Sequence, residues 1–224
     1  MKNKLFLGLG LAAIALGLGV GVYGMLGTSG NTSDSVAGYS ETTTTLANCP
    51  ASVERGKKLD PLATGDVAAF RALDEPLDLT SIKFVDGEGN PKTLADWNGK
   101  IVLFNLWATW CPPCREEMPY FETLQIEKGG KSFQVVPVSI DLGDASKPKR
   151  FYDETGLKAL PFMHDNTMNA FHDLKKKAVA LGMPTTLLVD TNGCGLGVLN
   201  GPAHWASPDA VKLIDAAIAL PKSG

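Results

Sequence analysis

Residues 101–114 read IVLFNLWATWCPPC, and the fold turns on how this stretch is parsed. Ile101 to Trp107 is an almost unbroken apolar run of strand length, the kind that is buried on both faces of a sheet. A helix is predicted directly after it, over residues 112–126. Pro112 and Pro113 occupy its first turn, where a missing N–H costs little. Cys111 and Cys114 then stand at i and i+3, within reach of each other across that turn. Cys111 lies where unsatisfied N–H groups and the positive end of the helix dipole favour an anion. The thiolate is the nucleophile in thiol–disulfide exchange, so Cys111 is the expected attacking group and Cys114 the resolving one. The two prolines leave fewer donors for the thiolate, which tempers the fall in its pKa. A half zinc site is the competing reading. It needs a second ligand pair, and Cys49 and Cys194 are far apart with no matching His spacing, so no metal is expected.

The flanking sequence alternates strand and helix signals. A hairpin is predicted from residues 82–85 and 91–94 about the turn at 86–90. A second buried strand covers 134–140, a polar helix 147–155, a short strand 160–163 and another helical stretch lies within 167–181. Strands at 185–190 and 196–199 flank Thr191-Asn192-Gly193, a tight-turn signal. The closing helix, 208–220, carries Val211, Leu213, Ile214, Ala217 and Ile218 on one stripe. Upstream, residues 49–76 suggest one or two short helices broken near Asp60-Pro61. The sum is an α/β chain with a central mixed sheet flanked by helices.

With these motifs in place, the chain resembles the thioredoxin superfamily, and within it the membrane-anchored TlpA, ResA and CcmG-like thiol-disulfide oxidoreductases, TlpA most of all. The resemblance covers residues 79–220. It rests on Phe104 to Cys111, on Pro119 eight residues after Cys111, and on Gly182-Met183-Pro184-Thr185-Thr186 with the following strand. It implies a cis Met183-Pro184 bond against the Cys111 sulfur, with Pro184 as a catalytic residue and Met183, Trp110 and Pro112 contacting substrate. Thioredoxin's buried Asp, six residues before its first Cys, is replaced here by Asn105, which cannot titrate. The resemblance passes that role to Glu117, three residues after Cys114; the alternative is an ordinary acid in an early helical turn. Residues 141–181 are longer than in thioredoxin and are similar to the strand-helix insertion of the TlpA-like branch. A comparable second disulfide in some TlpA proteins implies a Cys49–Cys194 bridge, with a second redox pair or a bond to a partner as alternatives.

The protein has 224 residues and a formal net charge of −3. No charged residue falls between Lys4 and Asp34, and residues 5–26 form an apolar run of 22. As a helix that run would span about 33 Å, enough for a hydrocarbon core of about 30 Å. It reads as a retained anchor at 1–27 instead of a cleaved signal peptide, whose apolar core is shorter. Lys2 and Lys4 before it place the N-terminus in the cytoplasm and the body in the bacterial periplasm, at the inner membrane. Residues 28–48, rich in Ser, Thr and Gly, read as a flexible linker. A helical extension is expected at 49–78 and a thioredoxin-like domain at 79–224. Without Lys2 and Lys4 there are 19 basic against 24 acidic residues, with no basic stripe, which excludes nucleic acid as a partner.

The functional expectation is a periplasmic disulfide reductase with no cofactor beyond its Cys111–Cys114 disulfide. The resemblance implies protein disulfide substrates, cytochrome oxidase (copper-site) assembly factors above all, and a membrane electron donor of the DsbD or CcdA type. Reduction for cytochrome c maturation is the alternative. A Sco-like copper chaperone using Met163, His164, Met168 and His172 is a further alternative, although its cysteine spacing differs from C-x-x-C. A peroxidase-like redoxin shares the same fold.

Overall fold

The computed structural model describes residues 49–221. The expected anchor and linker lie outside the described residues. Among the described residues no helix is long and apolar enough to cross a membrane.

Among the described residues, eight strands form one mixed sheet in the order β1-β8-β7-β4-β5-β6-β2-β3. These are β1 (Arg71–Ala72), β2 (Lys83–Asp86), β3 (Pro91–Thr93), β4 (Ile101–Trp107), β5 (Phe133–Ser139), β6 (Met163–His164), β7 (Thr185–Val189) and β8 (Gly195–Asn200). The helices are α1 (Ser52–Lys57), α2 (Pro112–Lys128), α3 (Ser146–Thr155), α4 (Asn169–Lys176) and α5 (Pro208–Ala219). β4, β5 and β6 run parallel, and β7 runs antiparallel to β4. Every residue of β4 is buried, as expected of a strand covered on both faces. That burial puts Phe104, Leu106 and Trp107 at the centre of the core. α2 is tied to α5 by an ion pair of Lys128 with Asp215 at 2.7 Å, and Phe121 of α2 stacks on Trp205 in the loop before α5.

The N-terminal segment holds one of the one or two short helices expected there, and the chain leaves α-helical structure just before Asp60-Pro61. α1 stops after six residues, and the chain continues as two 3₁₀ turns, Asp60–Leu62 and Gly65–Val67, the first with a proline at its start and the second opening on a glycine at φ +50°. It then pairs as β1 with the free edge of β8, in the register Arg71 to Val198 and Ala72 to Gly197. The Asp60 carboxylate fixes the join by accepting the Ala72 N–H at 2.7 Å. The short strand expected at 160–163 begins later, at Met163. Pro161 has no N–H to offer a ladder, so pairing starts only beyond it. β6 then lies parallel to β5 and antiparallel to β2, which extends the sheet to the β2–β3 hairpin.

Candidate active site

β4 delivers its last residue, Trp107, to the same sheet end at which β7 begins. Leu106 sits opposite Thr185, so the Met183-Pro184 peptide lies just beyond the end of β4. That peptide is cis, and the Pro184 carbonyl accepts the N–H of Gly201 at 2.9 Å. After Trp107 the chain makes a tight turn in which the Cys111 N–H donates to the Ala108 carbonyl at 3.1 Å. Cys111 is the N-cap of α2 in extended conformation, with Pro112 opening the helix and Pro119 inside it. The Cys111 and Cys114 sulfurs are bonded, with their Cα atoms 5.3 Å apart. Cys111 is 5% exposed and Cys114 is 0% exposed, so any access from solvent is to Cys111. Trp110 is 58% exposed beside it, Pro112 is exposed and Met183 is half-buried.

Glu117 lies one helical turn beyond Cys114 and is fully buried. Its Oε1 accepts from Asn105 Nδ2 at 3.0 Å and its Oε2 from the Ala203 N–H at 3.3 Å. Burial dominates these donors and pushes the carboxyl up to about 8. The Trp205 N–H also pulls it down slightly, though without closing a full hydrogen bond. Asn105, on β4, passes a second hydrogen bond to Thr186 Oγ1 at 2.9 Å, which links the carboxyl to the strand following Pro184. Cys111, Cys114, Glu117, Asn105 and Pro184 are thus gathered around the same end of β4 and β7.

The second cysteine pair is elsewhere. Cys49 and Cys194 are bonded, with Cα atoms 5.5 Å apart across a separation of 145 residues. Cys194 follows the β7–β8 turn, at the opposite end of β7 from Pro184, and its N–H donates to Asp190 Oδ1 at 2.9 Å. The four possible copper ligands do not gather. Met163 and His164 are consecutive on β6 and so face opposite sides of the sheet. His164 Nε2 is committed to the Asp141 carbonyl at 2.7 Å, Met168 packs on the core and His172 is exposed. The His204 ring packs at a tilt against Tyr120, with centroids 4.0 Å apart.

Two residues of the site were not singled out from sequence. Asp141 accepts from Thr109, and Ala203 supplies a backbone donor to Glu117. The signal available for Asp141 was a polar residue just past the C-terminal end of a buried parallel strand, where α/β folds place their sites. A cavity of about 980 Å³ is lined by Leu77, Ile82, Phe84, His164 and Ala170 and does not include Cys111. Disulfide exchange needs an approachable sulfur more than an enclosed pocket.

The Redoxin family profile matches residues 71–214. The chain belongs to the Redoxin family. This redoxin is 41% identical over 100 residues to the thiol-disulfide oxidoreductase ResA of Oceanobacillus iheyensis, which covers 45% of the chain and 49% of the relative. The ResA of Geobacillus thermodenitrificans is 32% identical over 121 residues, 52% of the chain and 63% of the relative. The chain therefore spans about half to under two thirds of the length of these curated relatives. Among solved structures, the thiol:disulfide interchange protein of Chlorobium tepidum TLS, a thioredoxin family protein, superposes with a TM-score of 0.54 at 27% identity. That match covers 66% of this chain and 100% of the other. The sheet and its flanking helices are accordingly thioredoxin-like.

Proposed function

We propose that this redoxin is a thiol:disulfide oxidoreductase that reduces disulfides in protein substrates. The observation that carries the reading is the Cys111–Cys114 pair at the head of α2, at the sheet end where the cis Met183-Pro184 bond opens β7. In the reduced enzyme the Cys111 thiolate attacks one sulfur of a substrate disulfide. A mixed disulfide forms and the first substrate thiolate leaves. Cys114 then loses its proton and attacks the Cys111 sulfur, which closes the enzyme disulfide and releases the second substrate thiolate. Two electrons pass from the enzyme dithiol to the substrate. Glu117, one turn from Cys114, is the group that takes and returns the Cys114 proton, and a carboxyl at about 8 is suited to that exchange near neutral pH. Trp110, Pro112 and Met183 form the surface that meets the substrate strand.

The finer reading is a TlpA-like reductase held at the inner membrane by residues 1–27, with its domain in the periplasm and a donor of the DsbD or CcdA type. Support comes from the uncharged run at 5–26 with Lys2 and Lys4 before it, and from the elaborated segment 141–181 that contains α3, β6 and α4. Its substrates in this reading are assembly factors of the cytochrome oxidase copper site, with cytochrome c maturation as the alternative. The test is Cys114→Ser in the native periplasm, which stalls the reaction at the mixed disulfide. A small set of oxidase-assembly proteins attached to Cys111 is the expected result. Attachment of apocytochrome c favours the alternative, and absence of any mixed disulfide sinks the oxidoreductase reading.

A further inference from the structure

We infer that Asp141 is a positioning residue for the nucleophile, acting through Thr109. The inference rests on Cys111 being the attacking group. Asp141 is 4% exposed and lies two residues past the end of β5. Its Oδ2 accepts the Thr109 N–H at 2.9 Å and the Ser139 hydroxyl at 2.8 Å, and its Oδ1 accepts the Thr109 hydroxyl. Thr109 is the second residue of the tight turn from Ala108 to Cys111. The turn that places the sulfur at the N-terminus of α2 is therefore held by both hydrogen-bonding groups of one side chain's residue, and both go to one buried carboxylate.

The carboxylate is itself anchored from two strands. Ile140 N donates to the Trp107 carbonyl at 2.9 Å, which ties the Asp141 segment to the end of β4. From β6, the His164 ring reaches the Asp141 carbonyl at 2.7 Å. A carbonyl can only accept, so His164 carries its proton on Nε2. Asp165 N donates to the Ser139 carbonyl at 2.8 Å and closes the same layer. β4, β5 and β6 thus converge through Asp141 on Thr109. The arrangement gives the strand ends a polar hold on a turn that otherwise reaches the core only through the small Ala108 and Cys111 side chains, while Trp110 points to solvent. Misplacement of a reacting atom by about 1 Å can cost on the order of a hundredfold in rate, which makes such a hold consequential.

The experiment uses reduced full-length protein carrying Cys114→Ser, so that Cys111 reacts alone, and follows iodoacetamide alkylation of Cys111 across pH. Asp141→Asn replaces an acceptor with an amide that must present a donor to one Thr109 group. The alkylation rate at pH 7 is expected to fall by about tenfold or more, with the apparent Cys111 pKa raised. Removing a nearby negative charge would by itself favour the thiolate, so a raised value reports lost geometry. Thr109→Val, which keeps the fold and loses one bond, should shift both readouts in the same direction by less. Thr109→Ser should restore parent behaviour, and Thr109→Val should add little on top of Asp141→Asn. Unchanged rate and pKa in Asp141→Asn with an intact thermal transition, or a lowered pKa, would overturn the inference. Failure of the protein with Cys114 intact to reduce protein disulfides overturns the oxidoreductase reading instead.

Discussion

Glu117 shows how far burial can reverse what a sequence position suggests. An acid within the first two turns of a helix is stabilised as an anion by the dipole. Here the carboxyl is fully buried, its donors Asn105 and Ala203 do not repay the lost hydration, and it rises from 4.5 to about 8. A carboxyl held higher in the folded state binds its proton there more tightly than in the unfolded chain. Its contribution to stability is complete below about pH 4.5, declines as pH rises, and is gone above about pH 8. Glu117→Gln removes that slope. Measured by denaturant unfolding at pH 5, 7 and 9, the variant should gain on the parent as pH rises, by a few kcal/mol over the range. Parallel stability curves would mean that Glu117 does not titrate in this window. The placing of Cys111 and Cys114 at a helix head was legible from spacing, and Glu117 and Pro184 entered through the thioredoxin-like resemblance; the hydrogen bond from Asn105 to Glu117 was not legible, since it joins β4 to α2 across the fold. Ala203 was not legible, because its contribution is a backbone N–H brought in from 86 residues away.

At the scale of elements, β4 and β5 were readable because strands covered on both faces show as apolar runs. β1 was not, since two residues with one face exposed leave no periodicity; it exists because the edge of β8 needs a partner. That edge is secured from several directions. α1 lies against β8, Arg55 forms a buried ion pair with Asp190, and Cys49 is bonded to Cys194. The Cys49–Cys194 bond closes a loop of 145 residues, for which chain entropy sets an upper stabilisation of about 5 kcal/mol. The double variant Cys49→Ser/Cys194→Ser should therefore lose roughly 5–15 °C in thermal midpoint. Its disulfide-exchange rate at 25 °C should stay within about twofold of the parent, because the bond lies at the opposite end of β7 from Pro184. Lost exchange in a variant that still unfolds cooperatively would assign the pair a redox role.

Over the whole molecule, the family match begins at residue 71, inside the extension expected at 49–78, and residues 49–70 before it wrap onto the sheet. Thr64 reaches Asp209 at the start of α5 with a hydrogen bond of 3.0 Å, and a few residues later the chain crosses to the β8 edge. Such a wrap can approach β8 only where β8 has no side chains in the way. Gly195 and Gly197 supply that clearance. A Cβ on Gly197 would stand 2.2 Å from the Phe70 ring and 2.7 Å from the Arg71 carbonyl. The ring has some freedom to move, whereas the carbonyl belongs to the β1 backbone paired with β8. Gly197→Ala should cost about 1–3 kcal/mol as an overpacked core site. Trimming the ring with Phe70→Leu should recover part of that loss and leave the portion due to the Arg71 carbonyl. Chemical denaturation of the single and double variants separates the two contributions. The alkylation rate of reduced Cys111 should not change in either, since Gly197 pairs with Leu188 and lies four residues along β8 from Gly201, which meets Pro184. Equal stability of Gly197→Ala and the parent would show that the wrap does not rest on β8 closely enough to need the glycine, and would leave its hold to the Cys49–Cys194 bond and the Arg55–Asp190 pair.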